Sequence, residues 1–252
     1  MLSKTLLLVS LLAIQGASAL DPKCAPGGNF DLSVWNLQLP IGEKGHPTTI
    51  TPAKLKGCNG YQNKKFFYTD TQDGSLVMKV PGSPDNSDCV TTPNSKHCRS
   101  EFRELAPDSG DKASWDPSES TNRLKATLTV TNPDDSKHGT VIGQIHIDDK
   151  ISSKPVCELY YSKSGDLTMG VERTRDGGDS KFTKVGNVAV GTKFTYEIRY
   201  ESDKLSVSIN GGSPKSLDTY ELKSPKSYFK AGNYNQGESA SEVHFYELTV
   251  QH

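Results

Sequence analysis

The strongest constraint on this chain is a period-two alternation of apolar and polar residues that recurs along it, while no long helical stripe does. Phe194, Tyr196, Ile198 and Tyr200 alternate with Thr195, Glu197 and Arg199. Leu205, Val207 and Ile209 alternate with Ser206 and Ser208, and Leu124, Ala126, Leu128 and Val130 with Lys125, Thr127 and Thr129. Val243, Phe245 and Tyr246 open a similar run near the C-terminal end. Successive strand side chains point to opposite faces, so each run predicts a strand with one core face and one wet face. Glu201-Ser202-Asp203-Lys204 and Asn210-Gly211-Gly212 read as turns between them. Many short strands broken by Gly, Pro, Asn and Asp predict an all-β sandwich or jelly roll. Pro107 to Asn122, the longest polar stretch, reads as a surface loop.

The first residues bear on the compartment. Lys4 gives a positive start, Leu6 to Ile14 is largely apolar, and Ala17-Ser18-Ala19 is a small-x-small cleavage site. This pattern predicts a signal peptide over residues 1–19, a mature chain from Leu20 and a secreted, extracellular protein. The apolar run is far shorter than the ~20 residues of a spanning helix, so no membrane association is expected. Removing residues 1–19 from 252 leaves 233, within the range of one all-β domain over 20–252. No internal repeat or composition shift marks a second domain. The formal net charge is −1, and losing Lys4 makes it −2. With no global basic field, nucleic acid is not an expected partner. A monomer is expected, and a polyanionic ligand would need the cations gathered in one groove.

Five cysteines are present: Cys24, Cys58, Cys89, Cys98 and Cys157. An oxidising destination favours disulfides, and the odd count leaves one thiol over. The sequence does not fix the pairing. The expected bridges are Cys89–Cys98, closing a short loop directly before Arg99, and Cys24–Cys58. Cys157 lies in an apolar, aromatic strand pattern and is expected to be a buried free thiol that fills the core.

Three strand segments carry chemistry. In Arg99-Ser100-Glu101-Phe102-Arg103-Glu104-Leu105, Arg99, Glu101 and Arg103 share a face. The same pattern also describes a solvated, salt-bridged strand face. In Gly143-Gln144-Ile145-His146-Ile147-Asp148, Gln144, His146 and Asp148 share a face while Ile145 and Ile147 point to the core. An ordinary imidazole titrates near 6.5, which makes His146 a candidate proton acceptor. In Tyr228-Phe229-Lys230-Ala231-Gly232-Asn233-Tyr234-Asn235-Gln236, Tyr228, Lys230, Gly232, Tyr234 and Gln236 share a face. Gly232 allows a ligand or another strand to approach the backbone. Side by side on one sheet, these segments would form a cationic groove holding a base and an acid. The sequence does not show the strand order.

The stretches RSEFREL, QIH and YFKAGNYNQ resemble the three signature motifs of polysaccharide lyase family 7, the alginate lyases. Phe30 to Pro40, Phe67-Tyr68-Thr69-Asp70 and the strand around Met78 are also similar to that family. The resemblance covers essentially the whole mature chain. It implies a β-jelly roll with a concave cationic groove that cleaves a 1,4-linked uronate polymer by β-elimination. It places the catalytic set on Arg99, Gln144, His146 and Tyr234. Glu101, Arg103, Lys230, Tyr228, Asn235 and Gln236 are then supporting or substrate-binding positions. Isoleucine in the middle of QIH, here Ile145, is associated in the family with guluronate-containing blocks.

The reaction explains why these residue types are needed. A uronate C5 proton is a poor acid because its neighbour is already an anion. Arg99 and Gln144 would disperse the charge that develops on the carboxylate when the proton leaves. His146 or Tyr234 would take the proton, and Tyr234 would protonate the departing O4 oxygen. A tyrosine base requires its phenol to be lowered, a role for Arg99 and Lys230. No metal or other cofactor is required, and no tight Cys/His ligand spacing is present. A glycoside hydrolase on a similar sandwich would need two carboxyls across the bond, and Glu101 and Glu104 fall on opposite faces. A lectin would need an aromatic platform but no positioned base. A glucuronan presents the same C5 carboxylate and O4 leaving group as alginate.

Overall fold

The computed structural model describes residues 19–93, 95–107 and 109–252. Residues 1–18, which hold nearly all of the expected signal peptide, lie outside the described residues. In chain order the strands are β1 Trp35–Glu43, β2 His46–Ile50, β3 Phe67–Thr69, β4 Leu76–Val80, β5 Arg99–Glu104, β6 Arg123–Asn132, β7 Thr140–Ile147 and β8 Pro155–Tyr161. There follow β9 Asp166–Glu172, β10 Ser180–Asn187, β11 Phe194–Glu201, β12 Lys204–Ile209, β13 Lys215–Leu217, β14 Ser227–Tyr234 and β15 Ser241–Gln251. Two single-turn helices, α1 Pro26–Asn29 and α2 Pro52–Leu55, flank β1 and β2. The strands form an eight-stranded sheet, β10-β9-β8-β7-β14-β5-β1-β2, and a seven-stranded sheet, β13-β12-β11-β6-β15-β4-β3. Their pairings are antiparallel. This is the two-sheet β-jelly-roll sandwich that the alternation predicts.

The alternation sets which face each strand buries. In β11, Phe194, Tyr196, Ile198 and Tyr200 are buried, while Thr195, Glu197 and Arg199 are half-buried on the outer face. Ile198 pairs with Leu124 of β6 on one side and Val207 of β12 on the other, so the apolar rows are in register. In the facing sheet, Phe102, Ala231, Ile145, Cys157, Leu159 and Met169 are buried in the same core cluster. The Glu201–Lys204 hairpin turns through Ser202 and Asp203, both at positive φ (47° and 62°), the geometry of a two-residue hairpin loop whose twist suits the flanking strands.

Both expected disulfides are present, Cys24–Cys58 and Cys89–Cys98, and Cys157 is a buried free thiol. Burial pushes that thiol up to about 12, which suits a core filler and not a nucleophile. The Pro107–Asn122 region forms no regular strand, but it is anchored. Trp115 pairs with Ser227, packs 4.6 Å from Phe229 and donates Nε1–H to Glu104 at 2.9 Å. No described helix is long and apolar enough to cross a membrane.

Candidate active site

The strand order answers the question the sequence left open. β7, β14 and β5, which carry the three motifs, are consecutive in the middle of the eight-stranded sheet. Tyr234 pairs with Arg99, Lys230 with both Arg103 and Gln144, and Tyr228 with His146. Their side chains share the outer face of the sheet, where a groove of about 790 Å³ lies over them. The face expected to be wet is in fact recessed: Arg99 is 8 % exposed, Lys230 7 %, Glu101 2 % and Gln144 1 %.

Gly232 shows what its missing side chain is for. At φ 153°, an added Cβ would lie 2.6 Å from the Ser100 carbonyl oxygen and 2.7 Å from the Glu101 Cα. The close neighbour is therefore strand β5 and not a ligand. This close approach brings β14 and β5 together between Lys230 and Tyr234.

Two arginine–tyrosine stacks form the walls of the site. The Arg99 guanidinium lies 3.9 Å from the centroid of the Tyr234 ring, and that of Arg103 lies 4.1 Å from the Tyr228 ring. Ser95 ties the first stack together: Arg99 Nη2 donates to its Oγ at 2.9 Å, and its Oγ shares a 3.0 Å hydrogen bond with the Tyr234 hydroxyl. Asp149 ties the second, accepting from Arg103 at 2.9 Å and from the Tyr228 hydroxyl at 3.0 Å. The Nε–H groups of Arg99 and Arg103 are buried without a hydrogen-bond partner among the described residues. Glu101 sits between the stacks, paired with Lys230 at 2.9 Å and Arg99 at 3.4 Å, and accepting from Gln144 Nε2 at 2.5 Å.

These contacts set the protonation states. Burial opposes charge on Glu101, but Lys230 and Arg99 outweigh it and hold the carboxyl below its usual range. Burial pulls Lys230 down to about 8, against the attraction of Glu101. Burial, and then the charge of Lys230, pull His146 down to about 3. The ring is neutral at neutral pH. Its Nδ1 lies 2.8 Å from the Ile147 carbonyl oxygen, which can only accept, so Nδ1 carries the proton and Nε2 keeps a lone pair. The expectation that nearby cations lower Tyr234 is not met. Burial raises the phenol, Arg99 offsets part of this, and Glu158 raises it further.

Of the sequence-derived positions, Arg99, Glu101, Arg103, Gln144, His146, Tyr228, Lys230, Tyr234 and Gln236 all line the groove. Asn235 does not. The chain leaves β14 after Tyr234, and the buried Asn235 amide donates to Ser239 O and Ser241 Oγ while accepting from Gly237 N. It fastens the turn before β15. Asp148 also leaves the face, accepting from Ser114 and from the Lys150 N–H beyond the end of β7.

Three carboxylates that sequence reasoning passed over, Asp149, Glu158 and Glu172, line the groove beside the cations. Glu158 was legible: a lone carboxylate in the apolar run Val156-Cys157-Glu158-Leu159 must face away from the core. Burial raises its pKa, and Tyr160 donates a hydrogen bond to it. Glu101 and Glu158 do not make a hydrolase pair, because Glu101 is already held by three donors and is a weak base. Glu104, the other candidate, is consumed by Trp115, by the Phe229 N–H and by His252. Among the described residues no group of three or more His, Cys, Asp or Glu side chains is placed to hold a metal ion.

A β-jelly-roll face that gathers two arginines, a neutral imidazole and a protonated phenol in one groove has the make-up of a polysaccharide lyase. The comparisons with known proteins agree. The alginate lyase family model matches residues 30–252. An alginate lyase of Klebsiella pneumoniae is 27 % identical over 289 residues, covering 90 % of this chain and 91 % of that protein. A family 7 alginate lyase, A1-II′, solved as a variant in complex with substrate, is 32 % identical with a TM-score of 0.76, covering 91 % of this chain and 97 % of that one. Alginate lyase PA1167 of Pseudomonas aeruginosa is 30 % identical with a TM-score of 0.71, covering 88 % and 99 %. The chain belongs to the alginate lyases of polysaccharide lyase family 7.

Proposed function

We propose that this protein is exported, with residues 1–19 as its leader, and that residues 20–252 act as a monomeric domain cleaving alginate by β-elimination. Arg99 and Gln144 bind the uronate carboxylate and take up the charge that grows on it as the C5 proton leaves. An arginine fork matches a carboxylate in geometry as well as charge. His146 Nε2 accepts the C5 proton. The electron pair of that C–H bond forms the C4–C5 double bond, the C4–O4 bond breaks, and Tyr234 gives its proton to O4. Where proton and leaving group share a face of the sugar, Tyr234 serves as both base and acid. Lys230 and Arg103 bind neighbouring uronates, and Glu101 fixes Lys230, Arg99 and Gln144 in position.

The observation that carries this reading is that the Arg99–Ser95–Tyr234 unit and a neutral His146 line the same groove. A lectin would have no use for an imidazole held with a free lone pair in the same groove as a phenol held protonated. Incubation with polymannuronate, polyguluronate and glucuronan tests it, following the ultraviolet absorbance of unsaturated ends. Alginate blocks should give that absorbance. Binding without turnover, reducing ends without absorbance, or cleavage of glucuronan alone would each refute the proposal.

A further inference from the structure

At the β10 edge of the sheet, Phe182 is 39 % exposed, one of few large apolar side chains left in solvent among the described residues. It is not a loose side chain. The His138 ring stacks on it at 3.9 Å with an interplanar angle of 4°. Tyr160 meets Phe182 edge-on at 5.6 Å and His138 at 5.9 Å. Gly170, on β9, lies between the strands that carry Phe182 and Tyr160, while His138 comes from the loop before β7. An added Cβ there would come within 3.0 Å of the Phe182 ring and 3.1 Å of the Tyr160 ring. Glycine at 170 thus lets the three rings close into one rigid aromatic surface.

That surface continues the groove. Phe182 pairs with Gly170, Gly170 with Glu158, Glu158 with Gln144 and Gln144 with Lys230. These residues form one row across the sheet and share its outer face. Tyr160 donates its hydroxyl hydrogen to Glu158, a groove residue. With strands about 4.8 Å apart, the four spacings put Phe182 about 19 Å from Lys230. A polymer chain lying across the strands over Lys230 reaches the ring platform several sugars from the bond that breaks.

We propose that Phe182 and His138, backed by the buried Tyr160, form a distal subsite on which a pyranose ring of the same polymer stacks. The proposal rests on the lyase reading above. The ring faces supply an apolar contact that the charged centre of the groove does not, and a C–H-rich sugar face is the chemistry that fits it. The subsite holds a long chain and takes no part in the bond-breaking step. Its contribution therefore appears in the Michaelis constant of long substrates and is absent from that of short ones.

The test compares wild type, Phe182→Ala, Phe182→Leu and Phe182→Trp on alginate polymer and on the shortest oligomer the wild type cleaves. Phe182→Ala should raise KM for polymer by about five- to tenfold, the scale of one aromatic contact, with kcat unchanged and the short oligomer unaffected. Phe182→Leu keeps apolar bulk without a flat ring and should behave like Phe182→Ala. Phe182→Trp should restore tight binding of polymer. Equal polymer-to-oligomer ratios of kcat/KM in Phe182→Ala and wild type would overturn the subsite, as would wild-type behaviour of Phe182→Leu. A wild type that cleaves neither substrate would instead overturn the lyase reading.

Discussion

The Arg99 guanidinium lies over the Tyr234 ring, 3.9 Å from its centroid, and Ser95 bonds to both side chains. The residue proposed to hold the substrate carboxylate and the residue proposed to move the proton are thus one mechanical unit. Arg99→Lys keeps a cation but loses the planar fork and the stack. We expect at least a ~100-fold loss of kcat from misplaced charge stabilisation. Arg99→Ala goes further, leaving the buried Glu101 with one fewer partner, and should also cost about 1–3 kcal/mol of stability. Unsaturated-product rates together with urea midpoints separate the two effects. Near-normal turnover in a folded Arg99→Lys protein refutes the role.

Ser95 lies inside the loop closed by the Cys89–Cys98 disulfide, so that bridge braces the Arg99–Tyr234 pair from one side. Ser95→Ala should lower kcat about three- to tenfold, the scale of one hydrogen bond, with little change in KM. Cys98→Ser opens the loop and should reduce both melting temperature and kcat. Cys157→Ser, at a site away from the groove, should leave kcat unchanged while costing about 1–3 kcal/mol for a hydroxyl in an apolar core. Full activity in Cys98→Ser would detach the loop from catalysis.

The fold was legible because its signal is local. Phe194 to Tyr200 alternates in sequence and alternates in burial, and Ser202-Asp203 turns where the polar tetrapeptide said it would. The sheet order was not legible, because β5, β14 and β7 are separated by long stretches of chain and meet only through non-local pairing. The resemblance supplied the proposed catalytic set, and period-two reasoning alone placed those residues only on faces. That reasoning fails where a strand stops. Asn235 follows Tyr234 in sequence but turns inward to bond Ser239 and Ser241. Neither the recessed floor nor the elevated Tyr234 phenol can be read from residue types. Both depend on what surrounds each group, including Glu158, whose neighbours across the sheet are set by non-local pairing.

Lys230 should govern the alkaline side of the activity profile. Its pKa in the free protein is about 8, so it loses its charge as pH rises through that value. Because kcat/KM reports groups of the free enzyme, it should fall over the same interval. Lys230→Arg stays charged and should extend the plateau upward. The result is read from kcat/KM at a series of pH values in a constant-ionic-strength buffer, and a flat wild-type profile through pH 8 would count against it.

His146 should make the protein acid-sensitive. Folded, it takes a proton only near pH 3, whereas an ordinary imidazole does so near 6.5. Between these values the unfolded chain binds more protons than the native one, so native stability falls as pH drops from 6.5 toward 3. Above 6.5 both states are neutral and the full contribution is present. His146→Gln cannot titrate. The wild type should therefore lose more of its urea midpoint between neutral and mildly acidic pH than His146→Gln does. Parallel losses in the two proteins would place the titrating group elsewhere.

The same two residues allow the proton pathway to be dissected. Tyr234→Phe keeps the ring on Arg99 and removes only the hydroxyl, so it should abolish cleavage of both polymannuronate and polyguluronate. His146→Asn should differ between them. Where proton and leaving group lie on opposite faces, as in guluronate, Tyr234 on the leaving-group side cannot replace Nε2, and activity should vanish. Where they share a face, as in mannuronate, Tyr234 can act as base, and activity should survive. The phenol is raised by burial and by Glu158, so only a small ionised fraction exists at neutral pH. That fraction grows about tenfold per pH unit below its pKa. The surviving mannuronate activity of His146→Asn should therefore climb between about pH 6 and about pH 7.5, below the range where Lys230 discharges, while the wild type stays level on polyguluronate. Rates of both variants on both homopolymers at these two pH values decide the matter. A flat mannuronate profile in His146→Asn would remove Tyr234 as base, and substantial cleavage by Tyr234→Phe on either polymer would remove it as acid.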